Sequence, residues 1–113
     1  MNSIFDKIIN KEISADIIYE TDNILAFKDI NPIAPVHILI IPKYNIPTMN
    51  DISNEDSEVM SELLLSAKII AKEIGVADSG YRLVINCNED GGQTVSHLHL
   101  HLIAGRKFNW PPG

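Results

Sequence analysis

His97-Leu98-His99-Leu100-His101-Leu102 is the stretch on which the reading of this 113-residue chain turns. Histidine and leucine alternate strictly, and a period of two belongs to a β-strand whose successive side chains point to opposite faces. The spacing predicts leucines packed into a core and three imidazoles in line on the other face, roughly 7 Å apart. Apolar neighbours extend this strand over Val95 to Ala104. Before it, the polar run Asn88 to Thr94, with Gly91 and Gly92, reads as a loop, and Tyr81 to Asn86 reads as another strand.

Further out lies the best-specified helix. Ser53 and Asp56 resemble a capping box at its start, Val59, Leu63, Ala67, Ile70, Ala71 and Ile74 form one apolar stripe, and Gly75 supplies the stop. His37 to Ile41 is β-branched and almost wholly apolar, ends at Pro42, and is expected to be a central strand buried on both faces. Asp16 to Glu20 and Ile24 to Lys28 flank Thr21-Asp22-Asn23, which is turn chemistry at hairpin length. A short amphipathic helix capped by Ser3 opens the chain. The sum is an α+β fold: one domain over residues 1–113, with a mostly antiparallel sheet of about five strands, one long helix and a short N-terminal one.

Composition narrows the function. Hydrophobic residues at 45% and charged residues at 21% are the balance of a globular protein, not a disordered one. A net charge of -6 repels a phosphate backbone, so nucleic acid is not an expected partner. Cys87 is the only cysteine, which excludes an internal disulfide and a multi-cysteine zinc site and fits a reducing compartment. No apolar run approaches the ~18 residues of a membrane span. A cytoplasmic protein without membrane contact is expected.

Three imidazoles in register leave several ring nitrogens in need of partners. They could ligate a metal such as zinc, or they could handle phosphate. The adjoining Asp90-Gly91-Gly92-Gln93-Thr94 favours phosphate, since glycines let the backbone approach a ligand closely and a hydroxyl and an amide side chain stand beside them.

His97-Leu98-His99-Leu100-His101 followed by Leu102-Ile103 resembles the signature of the histidine triad (HIT) family. The resemblance runs through Ser3 to Ile9, Leu25 to Ile30 with Pro32 and Pro35, His37, Ile41-Pro42-Lys43, Gly91-Gly92-Gln93 and the closing Trp110-Pro111-Pro112-Gly113, and it points to the Hint branch of purine nucleoside phosphoramidases. It implies a HIT-like fold that pairs into a homodimer. It also implies hydrolysis of the P–N bond of purine nucleoside 5'-phosphoramidates, adenosine preferred, to a nucleoside monophosphate (AMP or GMP) and an amine, with no cofactor and no metal.

By this resemblance His99 is the nucleophile that becomes a nucleotidyl-histidine, its second nitrogen held by a backbone carbonyl. His101 contacts phosphate, and His37 and His97 support the site. Asn86, Gly92, Gln93 and Thr94 match positions for phosphate and leaving group, Asp29 a ribose-binding carboxylate, and Ile4, Phe5, Ile8, Phe27 and Ile30 an apolar base slot. Thr94 replaces the branch's usual serine, and Ser96 stands where many relatives carry an aromatic. A dimer is expected to use the long helix and the strand near Tyr81 to Asn86. Trp110, set between polar residues and prolines, is expected to reach the partner's site. Two alternatives remain: a dinucleoside polyphosphate hydrolase of the same superfamily, or a nucleotide-binding scaffold with incidental hydrolysis.

Overall fold

A computed structural model describes residues 3–113. Five strands form one antiparallel sheet: β1 (Ile17–Glu20), β2 (Ile24–Lys28), β3 (Val36–Pro42), β4 (Tyr81–Val84) and β5 (Leu100–Ala104), in the order β1-β2-β3-β5-β4. The strand expected at the centre is the middle one, buried from His37 to Pro42. In the β1–β2 turn, Thr21 Oγ1 accepts from the backbone N–H groups of Asn23 and Ile24 and donates to Glu62, so the hairpin is tied to the long helix.

Each sheet face has its own core because both faces of β2 and β3 are apolar. On one face Ile24, Ala26, Ile38, Ile40, Leu98, Leu100 and Leu102 pack against Val59, Leu63, Ala67, Ile70 and Ala71 of helix α2 (Ser57–Glu73). On the other, Leu25, Phe27, Leu39 and Ile41 are covered by Phe5 and Ile8 of helix α1 (Ile4–Ile9). Ser3 caps α1 in a reciprocal box with Asp6. The histidines lie on this second face, with α1 over them.

Local details differ from the sequence reading where long-range bonds outweigh local pattern. Asp56 does accept from the Ser53 N–H, but the residues between form a 3-10 turn, Asn54–Asp56, and the α-helix begins at Ser57. Ile74 caps the helix and is part-exposed instead of joining the stripe. Gly75 at φ +83 makes the stop. The expected loop begins with a helical turn, α3 (Asn88–Gly91). The last strand begins at Leu100, not Val95, because the Leu98 N–H bonds across to the Ile46 carbonyl at 2.7 Å and Gln93 donates to the Val95 carbonyl. At the far end of β5, Gly105 adopts φ +92 with Pro35 so close that a Cβ would lie 2.7 Å from Pro35 Cβ.

Candidate active site

The leucines of the alternating run point into the α2 core and the histidines away from it, as the period of two requires. Bending before Leu100 draws the rings closer than strand spacing: His99 and His101 have centroids 5.0 Å apart. The Phe5 ring meets His99 edge-on at 5.1 Å and His97 at 5.8 Å. His37 joins them from β3, its ring 5.2 Å from that of His101.

Hydrogen bonds fix the tautomers. His99 Nδ1 lies 2.7 Å from the His97 carbonyl, which can only accept, so Nδ1 carries the proton and Nε2 keeps its lone pair. That is the carbonyl holder expected from the sequence. His37 Nδ1 accepts from the Ile33 N–H at 3.2 Å, which places the ring's own proton on Nε2 and makes it the donor to His101 Nδ1 at 2.9 Å. His101 is therefore protonated at Nε2, a donor with no partner among the described residues. Two neighbouring rings thus offer opposite chemistry, a lone pair on His99 and an N–H on His101. The Ile33 N–H that sets this polarity was missed in the sequence; the only hint was the proline-flanked loop around it.

His97 is wholly buried and structural in its contacts, donating from Nε2 to the Pro42 carbonyl at 2.8 Å. Burial pushes the pKa of His37, His97 and His101 down, and for His101 the neighbouring His99 and His37 add to it, bringing it to about 4. At neutral pH these rings are uncharged. Asp29 accepts from the Asn31 N–H with Oδ1 at 2.8 Å and sets Oδ2 3.5 Å from His37 Nε2.

A cleft of about 230 Å³ opens beside the rings, lined by His99, His101, Asp29, Thr94 and the apolar residues Ile4, Phe5, Ile8, Phe27 and Ile30. Phe5, Ile8 and Phe27 are also core; Ile4 and Ile30 are exposed lips. Sequence reasoning missed Ala15, Leu39 and Val95 on the same wall. Not every expected residue arrives here. The Gly92 and Gln93 N–H groups are taken by the Glu89 and Asn88 carbonyls, and the Gln93 side chain braces the loop by donating to Pro47 and Val95. Asn86 lines a different cleft, and Trp110 is solvent-exposed.

Asp29, His37 and His101 place three ligand-type atoms within 4.8 Å of one another. They fit a metal poorly as arranged. Coordination by His37 Nε2 would move its proton to Nδ1, where the Ile33 N–H already points.

Known proteins share this arrangement's sequence and shape. The HIT domain profile matches residues 10–108. A purine nucleoside phosphoramidase of Escherichia coli is 50% identical over 104 residues, 92% of this chain and 87% of that one. A 14 kDa zinc-binding protein of Zea mays is 50% identical over 113 residues, 98% and 88% of the two chains. The crystal structure of a HIT family hydrolase from Legionella pneumophila superposes with a TM-score of 0.97 at 52% identity, covering 99% of this chain and 100% of that one. With its histidine run, its sheet and nearly its whole length matched in this way, the chain belongs to the HIT domain family and stands among that family's hydrolases.

Proposed function

We propose that the protein hydrolyses the P–N bond of purine nucleoside 5'-phosphoramidates, adenosine first, through a nucleotidyl-histidine on His99. The observation that carries this reading is the opposed polarity of two rings on one cleft. Among the described residues His99 Nε2 has a free lone pair and His101 Nε2–H has no partner. Nucleophilic displacement at phosphorus calls for such a pair: one nitrogen to attack, and a fixed donor beside it for the charge on the phosphoryl oxygens. His99 attacks the α-phosphorus, the P–N bond breaks and the amine leaves with a proton taken up from solvent; water then cleaves the histidine–phosphorus bond, releasing the monophosphate and a proton and restoring the His99 lone pair.

The nucleoside fits the rest of the cleft. Phe5, Ile8 and Phe27 offer an apolar slot for a base, Ile4 and Ile30 stand at its mouth, and Asp29 is near enough to take ribose hydroxyls. Thr94 brings a hydroxyl to the same cleft, while Asn86, Gly92 and Gln93 act on phosphate or leaving group only if the loop rearranges around a ligand. His37 sets the His101 tautomer, and His97 holds His99 through its carbonyl. The phosphoramidase relative supports the substrate class. The tautomer of His37 argues for a reaction without metal, against zinc at Asp29, His37 and His101.

His99→Ala is expected to remove turnover by at least about 10³-fold while monophosphate binding survives, because base, ribose and phosphate contacts come from other residues. An alkaline quench of the wild-type reaction should trap the nucleotide on the peptide containing His97 to His101. No adduct, together with activity silenced by chelator, would refute the mechanism in favour of a metal site. Faster turnover of a diadenosine polyphosphate than of adenosine phosphoramidate would favour the superfamily's other hydrolase activity.

A further inference from the structure

One buried nitrogen of the histidine run has no part in the chemistry. The His97 Nε2–H donates to the Pro42 carbonyl, so Nδ1 keeps its lone pair, and among the described residues that lone pair meets no donor. It faces a carboxylate instead: Asp6 Oδ1 of α1 lies 3.8 Å away, beyond hydrogen-bond distance. The Ser3 N–H and Oγ both go to the other oxygen, Oδ2, at 2.8 and 3.3 Å. Two acceptors therefore look at each other beside a wholly buried ring, where an unpaired polar group is costly. A single proton on Nδ1 reverses the sign of the contact.

The short helix α1 depends on such contacts. Six residues are too few for a helix to persist alone, so its seating rests on the burial of Phe5 and Ile8 and on what Asp6 can reach. Among the described residues, Asp6 and His97 are the only groups of ion-pairing type that α1 and the histidine segment set against each other. Phe5, next to Asp6, turns its ring edge to both His97 and His99, and with Ile4 and Ile8 it forms the α1 wall of the cleft. The titratable groups that bear on His97 are Asp6 from α1 and His99 from its own segment. From β3 it meets the Pro42 carbonyl, and Lys43 beyond is paired with Glu20 at 2.8 Å. Burial holds the His97 pKa below the ordinary histidine value, while the Pro42 carbonyl and Asp6 act the other way.

We propose that Asp6 is a positioning residue that forms a proton-operated latch with His97: a proton on His97 Nδ1 makes the facing acceptors an ion pair, seats α1 against the segment that carries the nucleophile, and tightens nucleoside binding in mild acid. The effect on binding rests on the nucleoside reading of the cleft; the ion pair does not. The proton comes from solvent. With both nitrogens protonated, His97 still donates to Pro42 and its backbone carbonyl still accepts from His99, so the nucleophile keeps its tautomer. What changes is the freedom of one wall of the cleft. A wall fixed before the ligand arrives spares binding the cost of ordering it. Linkage makes the coupling reciprocal, so a bound nucleoside raises the proton affinity of His97 by the same factor.

The test follows the imidazole nitrogens of 15N-labelled protein by NMR through a pH titration, in the wild type, Asp6→Asn and Ser3→Ala. Asp6→Asn keeps an acceptor for the Ser3 N–H and removes the charge, whereas Ser3→Ala weakens the helix cap and keeps the charge. His97 is expected to gain its proton at Nδ1 and to titrate at lower pH in Asp6→Asn than in the other two. Adenosine, which has no phosphate to titrate, is the probe for binding by calorimetry. Its Kd should tighten about threefold from about pH 7.5 to 5.5 in the wild type and Ser3→Ala, and not in Asp6→Asn. Titration of His37, His99, His101 and Asp29 is common to all three and cancels in the comparison. A His97 that titrates alike in the wild type and Asp6→Asn would overturn the latch. A Ser3→Ala effect as large as that of Asp6→Asn would assign it to the cap and overturn it equally. If Asp6→Asn does not fold, the wild type decides alone: saturating adenosine must raise the pH at which His97 titrates, and no change would overturn the proposal. No adenosine binding at any pH, with the His97 titration as expected, would defeat the nucleoside reading and leave the ion pair standing.

Discussion

Two imidazoles of identical chemistry are made to do opposite things by what their second nitrogens touch. A carbonyl two residues back leaves His99 with a lone pair to present, and a backbone N–H passed through His37 leaves His101 with a proton. Such a relay works only if the rings are neutral, which burial provides by pushing the pKa of His37 and His97 down and that of His101 to about 4. The cost appears in acid. An unfolded histidine titrates near 6.5, so between about pH 6.5 and 4 the unfolded chain binds protons that the native chain refuses, and stability falls as pH falls through that window. For His101 alone the loss by pH 4 should be on the order of 2 kcal/mol after solvent screening. Melting temperature measured from pH 7.5 to 5, above most carboxylate titration, should decline in the wild type and decline less in His101→Asn. A flat wild-type profile would contradict the neutral relay.

At the scale of elements, β5 is a short strand held in register at both ends. Before it, the Leu98 bond to Ile46 releases His97 and His99 from the ladder, which lets the rings converge. After it, Gly105 turns the chain at φ +92 against Pro35. Gly105→Ala must meet both an unfavourable backbone region and a Cβ 2.7 Å from a proline ring, and should cost roughly 2–4 kcal/mol. Gly75→Ala is the matched control: its φ is +83, but nothing lies within 4 Å of the added Cβ, so only about 1 kcal/mol is at stake. Urea midpoints for the two variants should separate accordingly. Equal losses would mean that the Pro35 contact relaxes freely.

At the scale of the whole molecule, α2 covers β2 and β3 and leaves β4 as an open edge. Leu64 and Leu65 are 54% and 55% exposed on the outer side of α2, Ile69 lies near them in sequence, and Tyr81 and Leu83 are exposed on β4. This is much apolar surface for one small chain to show to water, and a second copy pairing edge to edge and helix to helix would cover it. We therefore expect a homodimer whose interface is α2 and β4, with the exposed Trp110 free to reach the partner's cleft. Sedimentation velocity at micromolar concentration should show a dimer for the wild type and a monomer for Leu64→Asp with Leu65→Asp. A wild-type monomer would remove the proposal. Within the described residues no helix is long and apolar enough to cross a membrane.

The sequence by itself determined whatever is coded by period and local chemistry. Alternation at His97 to Leu102 sorted leucines from histidines, the unbroken apolar run at Ile38 to Ile41 made a central strand, the stripe from Val59 to Ala71 chose the buried face of α2, and Ser3 with Asp6 capped α1. These follow from dihedral geometry and burial within a few residues of one another. Only the tertiary structure decided what depends on partners far away in the chain. It ended the strand at Leu100 because Ile46 offers a carbonyl, bound the Gly92 and Gln93 amides within their own turn, and set His101 as a donor through a ring 64 residues distant. It also placed Arg82 beside Arg106 over one phenylalanine. A hydrogen bond between residues dozens apart leaves no period in the sequence, so the polarity of the site becomes legible only once the sheet has brought its histidines together.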